Sequence, residues 1–291
     1  MAAGSYTWRQ PQVRHWCSLA LAMLPLLRQC SSRPIVQKPI SECEPSHTNF
    51  TADSEVETEL RHYAPRKWHG KLDYLLSTLK RRVVDRRIPG AVVELGTFEG
   101  QTSHMFRRLI DKFDPGRPFH CYDSFQGLPS RRPEDSKQVR KEDGEGGMRA
   151  GRDQFIERFK RERLRLPDGI HEGFFADIAA SEYPSPIAFA YFDGDLYSSI
   201  LDSFKMVFHK MSPGGVIMVH DYTTEGLFPG AKKAIEDFLR DKPERGVLEC
   251  YSIIGMVVKA ERMVLSKLLG VPSSSTGLPG LLYVLNPVQP T

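Results

Sequence analysis

The sequence predicts an α/β protein with a mostly parallel central sheet flanked by helices on both faces, a Rossmann-like architecture. Two observations carry that expectation. Short apolar, β-branched or aromatic runs ("AVVELG", "FHCYDSF", "PIAFAYFD", "GGVIMVHD") alternate with longer amphipathic stretches, the pattern of a parallel sheet with helical crossovers. Each run also ends on polar residues, and ligands of such sheets bind at the carboxyl ends of the strands.

The elements follow in order. "WHGKLDYLLSTLKRRVV", Trp68 to Val84, spaces Leu72, Leu75, Leu76 and Leu79 as one helical face, and Pro89 and Gly90 stop it. "AVVELG" is the first strand, "QTSHMFRRLIDKF" a helix and "FHCYDSF" the second strand. Residues 130 to 165 are densely charged and contain "GEGG", an exposed excursion expected to cover a site, closing with the helix "DQFIERFKRERL". "GIHEGFF" is a short third strand, "PIAFAYFD" the fourth, "SILDSFKMVFHKM" a helix and "GGVIMVHD" the fifth strand. "GAKKAIEDFLRDK" is a further helix, and "GVLECYSIIGMVVK" supplies one or two closing strands.

Around this domain, residues 68 to 260, the ends differ in character. Residues 1 to 40 hold five basic residues (Arg9, Arg14, Arg28, Arg33, Lys38) and no acid. The basic balance of the chain therefore resides in its leader, the remainder lies within one charge of neutral, and nucleic acid is not an expected partner. Residues 1 to 33, with the apolar "WCSLALAMLPLL" behind Arg9 and Arg14, read as a targeting segment, a secretory signal or an organelle transit peptide. Asn49 heads the sequon "NFT", which matters only on the secretory route. Residues 34 to 67 are expected to be a linker, and the Pro-, Gly- and Ser-rich residues 261 to 291 an appended tail. The five cysteines show neither zinc spacing nor a redox pair.

The strand ends carry the chemistry. The first ends "ELGTFEGQTS", where Gly96 and Gly100 permit a sharp turn and a close approach to a ligand, and Thr102 or Ser103 can cap the following helix. Glu94 at that end suits a ligand with an amino group or positive charge. Asp123, 29 residues on, ends the second strand, where an acid accepts hydrogen bonds from ribose hydroxyls. Together they describe a nucleoside with a charged amino-acid arm, which is S-adenosylmethionine. "YFDGDLYSSI" sets Asp193 and Asp195 around Gly194, and the fifth strand ends His220–Asp221. Asp195 and Ser198 are expected to cap the helix near Tyr197; Tyr197 and Tyr222 are open between lining a substrate mouth and packing.

"VVELGTFEGQTS", "YDSFQGLP", "EGFFAD", "FDGDLYSSI" and "GGVIMVHDY" come in the order and spacing of the macrocin O-methyltransferase family, which the chain resembles from about Trp68 to Lys259. The resemblance implies a class I methyltransferase that uses S-adenosylmethionine and a divalent metal, usually Mg²⁺, to methylate sugar hydroxyls of natural products. It assigns the cofactor to Glu94, Gly96, Gly100, Asp123 and Ser124, with Asp177 near the adenine. It assigns the metal to Asp193, His220 and Asp221, and the catalytic base to Asp193. His220 stands where the family usually has an acid, which admits Mn²⁺ beside Mg²⁺. It also opens two alternatives: a metal-independent methyltransferase with His220 as base, and a non-catalytic module that only binds S-adenosylmethionine. The expected partner is a small-molecule hydroxyl acceptor, with a homo-oligomer left open.

Overall fold

A computed structural model of the chain describes residues 51–135, 143–222, 228–242, 249–251 and 254–259. The leader, Asn49 of the sequon and the C-terminal tail lie outside the described residues. Seven strands form one sheet: β1 (Ala91–Leu95), β2 (Phe119–Asp123), β3 (Gly169–Glu172), β4 (Ile187–Phe192), β5 (Met211–Val219), β6 (Glu249–Tyr251) and β7 (Ile254–Val258). Their order is β3-β2-β1-β4-β5-β7-β6. The first five are parallel, and β7 runs antiparallel to both β5 and β6. The closing segment is thus two strands. Strand order reverses between β1 and β4, which opens a crevice at their carboxyl ends.

Helices α1 (Ser54–Tyr63), α2 (His69–Thr78), α3 (Gln101–Phe113), α4 (Arg152–Arg161), α5 (Tyr197–Val207) and α6 (Pro229–Leu239) surround the sheet. Successive strand residues point to opposite faces, and both faces are covered. Val92, Phe119, Cys121, Phe189, Tyr191, Val216 and Met218 share one buried cluster with Leu60, Leu75, Phe106 and Phe155 of α1 to α4. On the other face Phe192 meets the ring of Phe204 in α5, which stacks on Phe238 of α6. Every residue of β1 and β4 is buried, which is why β4 reads as a continuous apolar run, and β1 as one interrupted only by Glu94, and neither alternates.

Two expectations need correction. The segment expected to be a linker contains α1, whose Asp53 cap accepts from the backbone N–H of Glu55 and Val56. Val56 and Leu60, one turn apart, are buried in the main core. Two apolar positions in a polar run are too few to announce a helix by periodicity, yet they suffice to dock one. Secondly, α3 is not capped by Thr102 or Ser103. Its N-cap is Gly100 in the left-handed region, φ 77°, with no side-chain cap. Its lack of a side chain serves packing, since a Cβ there would lie 2.8 Å from the Phe155 ring of α4.

Candidate active site

A cavity of about 840 Å³ opens at the carboxyl ends of β1, β2, β4 and β5, large enough for a cofactor together with part of a second molecule. Its floor includes Glu94, Gly96, Asp123, Asp193, His220 and Asp221. The expected strand-end residues therefore meet in one place. Seven non-glycine residues among those described have positive φ, and four of them, Phe98, Met148, Asp195 and Asp221, line this cavity. Backbone held in that region costs energy and concentrates where a site needs side chains aimed off the regular lattice.

At the β1–β2 end, Asp123 organises the glycine turn. Its Oδ2 accepts from the backbone N–H groups of Thr97 (2.7 Å) and Phe98 (3.0 Å) and from Thr97 Oγ1 (3.3 Å), while Oδ1 accepts from Phe125 N–H (2.8 Å). A carboxylate oxygen with one donor has capacity for another, and Oδ1 is in that position. Ser124 lines the cavity with its hydroxyl donating to the Gly127 carbonyl (2.8 Å), fixing the next turn. Thr102 lines the cavity as well, whereas Ser103 is buried beside Glu94 and does not. Asp177 is exposed and lies off the cavity; the tight turn from Gly173 presents Phe174 and Phe175 instead. Phe98, Met148 and Phe174 are large apolar side chains that are more than a third exposed, all on the cavity wall. Exposed apolar surface gathered at one cavity marks a ligand-binding groove.

Glu94 is 1 % exposed, and burial pushes its carboxyl well above the ordinary value. The Cys121 thiol points at it, a weak donor at 3.9 Å. In the unfolded chain Glu94 ionises near its ordinary value of 4.5, so above that pH the folded state retains a proton that the unfolded state has lost. Stability must then fall as pH rises toward the raised folded value. Glu94→Gln, which does not titrate, is expected to melt a few degrees higher than the native protein at pH 7 to 8, with the gap closing near pH 4. A melting series across pH checks this, and a variant less stable at every pH would contradict it.

At the β4–β5 end, Asp193, Asp195, His220 and Asp221 each offer a ligand atom, all within 4.8 Å of one another. His220 Nδ1 lies 2.6 Å from Asp221 Oδ2 and 3.0 Å from Asp193 Oδ1, and its Nε2 is buried without a partner. Burial alone would lower the imidazole pKa, but Asp193 and Asp221 outweigh it and hold His220 up at about 10. Burial likewise raises Asp193, but His220, Lys71 and the Tyr191 hydroxyl reverse this and hold it well below the carboxylate range. Burial pushes Asp195 well up, and Asp193 and Asp221 add to the effect. Three carboxyls crowded around one imidazole, with too little positive charge among them, fit a divalent cation by donor type and by charge.

Sequence reasoning missed two members of this arrangement. Asp195 does not cap α5, whose N-cap is Leu196 without a side-chain bond. Its left-handed backbone, φ 57°, carries the carboxyl into the cluster instead. The D-G-D spacing was the available signal. Lys71 of α2 reaches Asp193 Oδ2 at 3.4 Å, and nothing in an amphipathic helix marks which lysine turns inward. Tyr197 and Tyr222 pack: Tyr197 Oη donates to Asp237 (3.1 Å), and Tyr222 lies against Gly255 of β7.

The comparisons with known proteins bear on the family and the fold. The model of the macrocin O-methyltransferase (TylF) family matches residues 69–250. The chain belongs to the macrocin O-methyltransferase family. The family is one of O-methyltransferases. The chain is 27% identical over 157 residues to an 8-demethyl-8-(2,3-dimethoxy-alpha-L-rhamnosyl)-tetracenomycin-C 4'-O-methyltransferase of Streptomyces olivaceus, covering 52% of this chain and 58% of that protein. It is 27% identical over 214 residues to a demethyldecarbamoylnovobiocin O-methyltransferase of Streptomyces niveus, covering 66% and 76%. Among solved structures, the O-methyltransferase NovP superposes with a TM-score of 0.55 at 21% identity, over 66% of this chain and 80% of that one. The calicheamicin methyltransferase CalS11 superposes at 0.56 and 17%, over 87% and 99%. Those superpositions bear on the Rossmann-like fold.

Proposed function

We propose that this protein transfers the methyl group of S-adenosylmethionine to a hydroxyl of a small molecule, a sugar or glycosylated natural product, in a reaction that depends on a divalent cation. The observation that carries this reading is the cluster of Asp193, Asp195, His220 and Asp221 in the same cavity as Glu94 and Asp123. Cofactor end and acidic end are joined directly, because β1 and β4 are neighbours.

Each residue then has a part. Asp123 Oδ1 would take a ribose hydroxyl, and Phe98, Met148 and Phe174 would flank the adenine. Glu94, buried and short of a counter-charge, would receive the ammonium of the methionine arm. Asp193, Asp195, His220 and Asp221 would hold the cation. Such a cation supplies Lewis acidity that lowers the pKa of an acceptor hydroxyl and fixes its oxygen. Asp193, held low, is a poor proton acceptor and serves best as a ligand. Holding methyl donor and hydroxyl oxygen in line is where the site gains most of its rate.

A metal-free reaction with His220 as base is disfavoured by the same geometry. An imidazole with a pKa near 10 is already protonated at neutral pH. The test is transfer of labelled methyl to a panel of diol-containing sugars and glycosides, with and without chelator. Turnover is expected only with added Mg²⁺ or Mn²⁺; full activity in a sample verified as metal-free would return His220 to the role of base. Asp123→Ala is expected to raise the dissociation constant of S-adenosylhomocysteine by roughly ten- to a hundredfold, the loss of a charge-assisted bond costing about 1.5–3 kcal/mol. Melting temperature should fall too, because Asp123 also ties down Thr97, Phe98 and Phe125. An unchanged affinity in calorimetry would remove Asp123 from the cofactor site.

A further inference from the structure

Resting on the cation-dependent reading above, we propose that Tyr191 is a positioning residue that selects the ion. Its hydroxyl holds one oxygen of Asp193 away from the acidic cluster, so that Asp193 presents a single oxygen there. A single oxygen suits a small octahedral ion, Mg²⁺ or Mn²⁺, and penalises a large one such as Ca²⁺.

The hydroxyl of Tyr191 is what needs a reason. β4 is buried along its whole length, and Tyr191 is fully buried within it. Its ring meets Phe106 of α3 edge-on, with centroids 5.9 Å apart, and His220 likewise at 6.4 Å. A phenylalanine would make the same ring contacts. A buried hydroxyl is costly unless it is bonded, and this one donates to Asp193 Oδ2 at 2.9 Å. Residues two apart along a strand point to one face, which sets the phenol beside the carboxylate it serves.

The backbone of Asp193 is fixed, because its N–H donates to the Leu95 carbonyl of β1 (2.8 Å), and the carbonyl of Phe192 before it accepts from His220 N–H (2.9 Å). What remains is the rotation of the carboxylate, and different partners claim its two oxygens. Oδ2 accepts from the Tyr191 hydroxyl and, at 3.4 Å, from Lys71 Nζ of α2. Oδ1 faces His220 Nδ1 at 3.0 Å. A carboxylate oxygen accepts about two hydrogen bonds, so Oδ2 is filled and Oδ1 is the oxygen turned to the cluster. The lysine bond is the longer of the two on Oδ2, which makes the phenol the main hold. Ca²⁺ gathers more oxygens at longer distances and often takes both oxygens of one carboxylate, whereas Mg²⁺ demands a tight octahedron. Groups behind a ligand that fix its orientation influence affinity nearly as much as the ligands do.

The experiment titrates the full chain, saturated with S-adenosylhomocysteine, calorimetrically with Mn²⁺ and separately with Ca²⁺. Native protein, Tyr191→Phe and Tyr122→Phe are compared. Tyr122→Phe is the control for packing: it removes another buried hydroxyl bond, to the Glu182 carbonyl at 2.9 Å, on β2 and outside the cavity lining. In Tyr191→Phe the dissociation constant for Mn²⁺ is expected to rise about tenfold and that for Ca²⁺ much less, so the preference for Mn²⁺ over Ca²⁺ shrinks several-fold. Tyr122→Phe should lower the melting temperature and leave that preference as it is in the native protein. An unchanged preference in Tyr191→Phe, whether both affinities hold or fall together, overturns the inference and leaves the cation-dependent reading standing. The same change of preference in Tyr122→Phe also overturns it. A native protein that binds neither ion overturns the cation-dependent reading itself.

Discussion

Replacing Asp193 by alanine is expected to lower methyl transfer by about three orders of magnitude or more while leaving S-adenosylhomocysteine binding within a few fold. The size follows from the several kcal/mol that a Lewis-acidic ion contributes to such chemistry. Asp193 faces the imidazole, the Tyr191 hydroxyl and Lys71 at once, so its removal dismantles the cluster. Asp221→Ala should do the same, because it removes the other carboxylate on His220 Nδ1. Cation binding must also displace protons. His220 with a pKa of about 10 carries a proton at neutral pH that a ligating imidazole has to give up. Affinity for Mn²⁺ should therefore climb with pH below 10, with proton release measurable by calorimetry in buffers of different ionisation enthalpy. His220→Asp should lose part of that pH dependence and shift preference toward Mg²⁺. Wild-type turnover in Asp193→Ala would end the metal reading.

What was legible in the sequence divides along physical lines. The parallel sheet was legible because β1 and β4 are buried on both faces, so β4 appears as an unbroken apolar run and β1 as one interrupted only by Glu94. The strand-end residues were legible because the topology gathers carboxyl ends, so Glu94, Asp123, Asp193, His220 and Asp221 could be placed together without coordinates. Functions that depend on loop backbone were not legible. Asp195 reads as a helix cap until its left-handed φ is known, and Asp177 reads as a site residue until the turn at Gly173 sends Phe174 and Phe175 inward in its place. Long-range contacts were invisible for a further reason: Asp135 meets Tyr197 across 62 residues, and no local pattern encodes such a bond. The helix α1 shows the lower limit of periodicity, where two buried side chains are enough for docking but not for detection.

Gly96→Ala is expected to damage the protein more than any other glycine-to-alanine change in the site, by on the order of 3 kcal/mol or more. Gly96 adopts φ 92°, outside the range comfortable for an L side chain. A Cβ there would stand 2.1 Å from the Asp193 carbonyl oxygen and 2.7 Å from its carbon. Both are backbone atoms, and neither strand has room to yield. Gly96 N–H is bound to the Tyr122 carbonyl (2.9 Å) on one side, and Asp193 N–H to the Leu95 carbonyl (2.8 Å) on the other. The methyl group would wedge β1 from β4 at the point where the cofactor end meets the acidic cluster. Cation affinity should thus fall along with stability, because Asp193 moves with its own carbonyl. Gly116→Ala, at an exposed turn where a Cβ meets nothing within 4 Å, serves as the control and should be nearly silent. Melting temperature and Mn²⁺ affinity measured on both variants decide the matter. A Gly96→Ala protein with native values of both would mean that the ends of β1 and β4 are free to part, and that the close contact between them does not hold the two halves of the site in register.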